Sequence, residues 1–242
     1  MSRGDAMPSL ALTGRTVVVA LTVAGLASGG AVSEASTPAT PVASAAPASA
    51  TTATAPSVAP IDRLMDVARR RYAVEVHGGV AIGTARRVAR DPTLLRTVQS
   101  ADGAATRTYV RRQFPAVWYH WHVSRLRVRK GSAVVAEAGV PFVVAPTQVT
   151  LRSSGGRTVG TLEVSVQDVI GFVRFMHRNY PVDVVVRGKG AAHIRTSLPA
   201  AAHANLPSRG PVTIAGRRYL ARSFHETAWN REPVTVWVLA KA

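Results

Sequence analysis

The sequence predicts an α+β domain in which a run of helices precedes an antiparallel sheet. Three observations carry this. Between Ile61 and Phe114, apolar residues recur at helical spacing, interrupted by Gly, Pro and Asp. From Val123 onward, short runs alternate apolar and polar residues and are separated by tight turns. One amphipathic segment, opening at Gln167-Asp168, is set among those runs.

Pro60-Ile61-Asp62 marks a helix start, with an acid near the positive end of the helix dipole. Ile61, Leu64, Met65, Ala68, Tyr72 and Val76 form one buried stripe, while Arg69, Arg70 and Arg71 face water. His77-Gly78-Gly79 interrupts the pattern, because each Gly in a helix interior costs about 1 kcal/mol relative to Ala. Val80 to Arg90 continues helically. Asp91-Pro92 starts another helix with Asp91 as N-cap, and Leu94, Leu95 and Val98 point inward. After Asp102-Gly103, Ala104 to Phe114 is the last of these helices, and Pro115 closes it.

Tyr119 to Arg129 then alternates with period two. His120, His122, Ser124, Leu126 and Val128 share one face, and Arg125, Arg127 and Arg129 share the other. Leu126 and Val128 mark the first face as the inner one, provided that no bulge shifts the register. Lys130-Gly131 turns into a strand at Ala133 to Ala138. Two more strands flank Ser153-Ser154-Gly155-Gly156, the second carrying Leu162, Val164 and Val166 on one face. Asp168 caps a helix that reaches Tyr180. The remaining strands are Val182 to Val186, Ala191 to Ser197, Val212 to Ile214, Arg217 to Phe224 and Pro233 to Ala240.

The residues Pro141 to Leu151 (PFVVAPTQVTL), Gly156 to Gly160 (GRTVG) and Ser165 to Arg178 (SVQDVIGFVRFMHR) resemble the Cache family of extracytoplasmic sensor domains. The resemblance covers roughly Ile61 to Leu239. It implies a PAS/Cache-like antiparallel β-sheet flanked by N-terminal helices, and a small-molecule sensing or binding role outside the cell membrane. It brings no catalytic signature.

Residues 1–32 have the pattern of an export segment. Arg3 and Arg15 precede an apolar run from Val17 to Ala27, shorter than the ~18–20 apolar residues that a spanning helix needs. Ala27, Ala31 and Ala35 are candidate cleavage positions. A membrane anchor is the other reading, if Ser28 to Val32 extends the span. Residues 33–60 are almost entirely Ala, Ser, Thr and Pro, which cannot bury enough apolar surface to offset ordering entropy, so a disordered tether is expected there. The folded domain is then 61–242, large enough for a core without disulfides. The chain has no cysteine, which excludes thiolate zinc sites and a disulfide framework.

The net charge is +17. Arg3 and Arg15 cancel Asp5 and Glu34, so all of the surplus falls on residues 61–242. Such a domain favours anionic ligands, polyanions and anionic surfaces. Two function classes follow. The first is a sensor-type binding domain for an anionic or carboxylate-bearing small molecule. No output domain follows the last strand, so its binding would be reported by a separate signalling partner. The second is a secreted basic module that binds an anionic polymer or surface, such as a membrane or cell wall. Nucleic acid fits less well, because Trp118, Tyr119 and Trp121 precede the arginines rather than interleave with them.

The candidate ligand contacts are His120, His122, Ser124, Tyr109 and His177. The i, i+2 histidines have a spacing that lets two imidazoles reach one metal ion, with Glu163, Asp168 or His177 as a third ligand. Nothing in the pattern selects that third ligand, and hydrogen-bonded histidines at a strand end explain the spacing equally simply, so neither a metal nor a cofactor is predicted. The Arg125, Arg127, Arg129 row fits either an anion-binding surface or an exposed sheet edge protected by charge. No Gly-x-Ser-x-Gly elbow, phosphate loop, HExxH or cysteine nucleophile is present, so no enzyme activity is expected.

Overall fold

A computed structural model describes residues 59–242. The expected export segment and nearly all of the expected tether lie outside the described residues; the tether's last two positions, Ala59 and Pro60, already belong to the first helix.

Four helices come first: α1 (Ala59–His77), α2 (Gly79–Ala89), α3 (Pro92–Gln99) and α4 (Gly103–Gln113). Their boundaries follow the chemistry of the sequence. Asp91 accepts hydrogen bonds from the Thr93 and Leu94 amides at 2.9 and 3.0 Å, and Asp102 accepts one from the Ala105 amide at 2.8 Å. The break between α1 and α2 falls at Gly78, where a Cβ would stand 2.4 Å from the Val74 carbonyl oxygen. The chain changes partners at this break, α1 packing on one sheet and α2 on another.

The strands are β1 (Arg125–Lys130), β2 (Ala133–Gly139), β3 (Thr147–Arg152), β4 (Thr158–Ser165), β5 (Val182–Arg187), β6 (Ile194–Thr196), β7 (Arg209–Ile214), β8 (Arg217–Thr227) and β9 (Pro233–Lys241). The helix α5 (Val169–Asn179) lies between β4 and β5, with Asp168 capping the Gly171 amide at 2.8 Å. All pairings are antiparallel, as expected, but the strands divide between two sheets. The order is β2-β1-β4-β3 in the first and β6-β5-β9-β8-β7 in the second.

Each sheet has its own core. Leu126, Val128, Leu162 and Val164 of the first sheet pack with Leu94, Val98, Val110 and Trp118 from the helices. Val184, Val186, Val236 and Val238 of the second pack with Tyr72 of α1 and with Phe172 and Met176 of α5. The opposite face of the second sheet carries a smaller cluster around Val185, Tyr219 and Leu239, covered by Ala201 and Leu206. Burial on both faces is why Val184, Val185 and Val186 of β5 are apolar in succession rather than alternating with polar residues.

Three expectations need correction. The chain does not leave helical geometry at Pro115. It continues through a π turn at Phe114–Trp118, in which the Tyr119 amide bonds to Phe114 O, and then a 3₁₀ turn at Tyr119–Trp121. The wider turn accommodates the proline that lacks an N–H. Residues 119–124 are therefore not part of the strand, which begins only at Arg125. Trp118 and Val123 are both fully buried in one core. In an extended strand their odd spacing would place them on opposite faces; the turn brings both inward. Finally, β1 is an interior strand, so the arginine row is not a sheet edge.

A bulge decides what faces those arginines. The hairpin pairs Lys130 with Ala133, and that register alone would place Glu137 opposite Leu126, on the core face. The shift between Val128 and Arg129 instead places Glu137 opposite Arg127. On the other side, Arg127 pairs with Glu163. Arg127, only 6% exposed, donates to Glu137 through Nε and Nη2 (3.0 Å each) and to Glu163 through Nη1 (3.3 Å). Arg125 Nε donates to Glu137 at 2.7 Å. The β8–β9 connection of the second sheet completes the junction. The guanidinium carbons of Arg125 and Arg127 lie 5.1 and 5.0 Å from the Trp229 ring centroid, Trp229 Nε1 donates to Glu137 at 2.9 Å, and Asn230 Oδ1 accepts from Arg127 Nη2 at 2.6 Å.

Candidate functional site

The turn that replaces the expected strand start places the histidines at the end of the first sheet. His122 sits in the left-handed region with φ of 63°, and its amide bonds to Tyr119 O at 3.0 Å. Ser124 enters the sheet through a 2.8 Å bond from its amide to Ser165 O, and its own carbonyl accepts the Val140 amide at 2.9 Å. Gly139 makes this approach feasible: it has φ of 128°, and a Cβ there would lie 2.4 Å from both Ser124 O and Arg125 Cα.

His120, His122, Ser124, Val140, Gln167 and Asp168 line a cleft of about 460 Å³. Both imidazoles are exposed, and neither has a hydrogen-bond partner among the described residues. The Tyr119 ring stands edge-on to His120 at 6.1 Å. On the other side of the turn a second cleft, of about 430 Å³, is formed by His120, His122 and α2, with Arg87 lying over the Trp121 ring at 5.2 Å. The histidines are thus on a wall between two clefts, not on the inner face of a strand. The first cleft includes Asp168, the N-cap of α5, in its lining. Asp168 Oδ1 is committed to the Gly171 amide, and Gln167 Nε2 donates to Asp168 O at 3.1 Å. The arrangement offers free ring nitrogens, a hydroxyl and a partly committed carboxylate to a small polar molecule.

Tyr109 and His177 lie elsewhere. Tyr109, on α4, donates to the Asp91 carboxylate (2.8 and 3.0 Å to its two oxygens) and stands edge-on to Trp118 at 6.0 Å. Burial, followed by the bond to Asp91, pushes its hydroxyl up to about 12. It braces the start of α3. His177, on α5, has Nδ1 3.1 Å from both Val182 O and Asp183 Oδ1, and it lines a cleft of its own with Tyr180 and Lys241. Asp183 also accepts from the Ser197 hydroxyl at 2.9 Å, while that oxygen accepts the Val184 amide. A serine bound to the carboxylate and an amide, rather than to the imidazole, is not arranged as an activated nucleophile. Glu163, the other candidate third ligand, belongs to the arginine junction. Among the described residues, no group of three His, Cys, Asp or Glu side chains is placed to hold a metal ion.

The structure therefore unites His120, His122, Ser124 and Asp168 and separates them from Tyr109, His177 and Glu163. The sequence reading missed Arg87 and Trp121 as the second wall, and Trp229 and Asn230 as partners of the arginine row. The Trp-Asn pair between two strands was the available signal for the latter.

No protein-family model matches the sequence, and no curated protein matches it. Among solved structures, the chain is similar to the periplasmic domain of Vibrio cholerae LuxQ, at 9% identity over 77% of this chain and 100% of that one, with a TM-score of 0.49. It is also similar to the sensor domain of the V. cholerae histidine kinase DctB, at 11% identity over 76% and 95% of the two chains and a TM-score of 0.42. The ligand-binding domain of the Pseudomonas fluorescens chemoreceptor CtaA, in complex with L-alanine, aligns at 8% identity over 76% and 96%, with a TM-score of 0.37. At these scores the likeness is one of general chain path, and no ligand or residue role passes with it.

Proposed function

We propose that this chain is an extracytoplasmic small-molecule-binding domain of the sensor type, and that His120, His122 and Ser124 hold an anionic or carboxylate-bearing ligand. One observation carries the reading. A 3₁₀ turn closed by the left-handed His122 holds two imidazoles, without hydrogen-bond partners among the described residues, over a cleft of about 460 Å³ lined by Ser124, Gln167 and Asp168. Concave sites with a few convergent polar groups are where small ligands bind. The placement outside the membrane rests on the apolar run at Val17 to Ala27. No helix among the described residues is long and apolar enough to cross a membrane. A separate signalling partner would report the binding.

The test is a thermal-shift screen of amino acids and small carboxylates, followed by calorimetry on any hit. The expected result is stabilisation by at least one compound, with affinity reduced about tenfold or more when His120→Ala and His122→Ala are combined. That loss is equivalent to about 1.4 kcal/mol. Unchanged affinity per folded molecule in the double variant would refute the assignment.

A second reading, a basic module for an anionic polymer or surface, is favoured by another cleft. Arg86, Arg90 and Arg152 surround about 480 Å³ over Leu95 and Val149, with no carboxylate in the lining. Polyanion binding that falls steeply with salt supports it; binding indifferent to salt excludes it.

A further inference from the structure

The arginine junction between the two sheets opens on one side into a cleft of about 580 Å³. Its polar lining includes Arg127, Arg129, Arg231, Gln148, Asn230 and Glu163. We propose that this cleft binds a small dianionic oxyanion, at a site independent of the histidine cleft.

The first argument is charge. Three guanidinium groups line the cleft against the single carboxylate of Glu163, leaving a surplus of two positive charges. Adding the neighbouring Arg125–Glu137 pair leaves that surplus unchanged. The second argument is unused donor capacity. Arg231 has no acceptor among the described residues. Arg129 Nε is buried 3.2 Å from Glu163 Oε1 without forming a hydrogen bond, while its Nη1 donates to Ser132 O at 2.8 Å. A buried guanidinium N–H without an acceptor, as at Arg129 Nε, is costly, the exposed Arg231 adds free donors at the rim, and a planar or tetrahedral oxyanion matches guanidinium fork geometry.

The third argument is backbone strain. Asn230 and Arg231 are consecutive non-glycine residues in the left-handed region, with φ of 62° and 57°. Such residues persist where the surroundings over-determine them, and they cluster at binding sites. Here the loop is fastened on both sides. The Trp229 amide donates to Val143 O at 3.2 Å, and the Ala228 amide donates to Glu232 O at 2.7 Å. Beyond the loop, Glu232 is bound by His193 Nδ1 at 2.7 Å. The strained pair directs the Asn230 side-chain carbonyl onto Arg127, leaves the Asn230 side-chain N–H groups without an acceptor among the described residues, and sets Arg231 at the rim. The Gln148 side chain supplies a second amide. The site thus pairs strong cation donors with neutral groups that select for ligand shape.

Two carboxylates on a short chain and one phosphoryl group share the required chemistry. The test uses the full chain at low ionic strength, with succinate and inorganic phosphate as probes and succinamide as the neutral control. Binding is followed by calorimetry. The expected result is binding of one anionic probe and none of succinamide. Arg231→Ala weakens that binding at least tenfold, and Arg231→Lys retains part of it. The combined His120→Ala and His122→Ala variant binds this probe like the unaltered chain, which separates this site from the one proposed above. A preference for succinate identifies a dicarboxylate site, and a preference for phosphate a phosphoryl site. Binding of neither anion overturns the proposal, as does unchanged affinity in Arg231→Ala with an unaltered circular-dichroism spectrum.

Discussion

His122 does two things that a single substitution can separate. Its imidazole lines the cleft, and its backbone holds a left-handed conformation that costs a non-glycine residue roughly 1–2 kcal/mol. Glycine adopts this conformation freely. We therefore expect His122→Gly to keep or slightly raise the melting temperature while lowering affinity for the histidine-cleft ligand. Parallel denaturation and calorimetry check this; a clear fall in melting temperature would mean that the imidazole is a packing group. None of this was legible in the sequence. Residues 119–124 alternate like a strand, and the competing demand, burial of both Trp118 and Val123 in one core, appears only once the helices are in place.

At the level of elements, caps and breaks were the readable part. Asp91 and Asp168, expected as caps, each accept a backbone N–H at a helix start, and Asp102, expected only as a break, does the same, because a short acid next to Pro, Gly or a β-branched run has little other local use. The face of β1 that bears Leu126 and Val128 was equally readable. The fate of its arginine face was not, because strand order and a one-residue bulge decide it, and neither leaves a local pattern. That junction makes a strong prediction. Removing one partner of a buried, hydrogen-bonded charge network costs about 3–5 kcal/mol. Arg127→Ala is expected to destabilise the domain by that order, measured by urea denaturation. A loss below about 1 kcal/mol would show that Glu137 and Glu163 find solvent instead.

For the molecule as a whole, three glutamates set opposing responses to pH. Burial alone would raise Glu137, but hydrogen bonds from Arg127 and then Arg125 outweigh it and hold the carboxyl below the ordinary 4.5. Its contribution to stability is present above that ordinary value and lost as pH falls through the lower folded one. Burial raises Glu75 against the pull of Arg71, and Glu226 against Arg69 and His77. Their contributions are present below 4.5 and lost as pH rises through the higher folded values. Glu137→Gln is thus expected to lower the melting temperature at pH 7 and to matter less in acid. Glu226→Gln is expected to raise it at pH 7, with the gain vanishing near pH 4. Melting curves at the two pH values decide both, and a gain from Glu226→Gln that persists at pH 4 would contradict the second. The division of the strands into two sheets, each with a core, was also beyond the sequence reading, since antiparallel order alone does not say where one sheet stops.

The Arg127 guanidinium, held between carboxylates of one sheet and the Trp229-Asn230 turn of the other, has a consequence for how the domain breathes. Breaking it exposes charge on one side and an indole on the other, so neither sheet can open alone at low cost. Amide protons in the middle of β1 and of β9 should therefore exchange with deuterium through a shared opening, with the same free energy and the same urea dependence. Arg127→Ala should split that single process into two. If the unaltered chain already exchanges its two sheets at unrelated rates, the junction is a contact between neighbours and not a coupling between them.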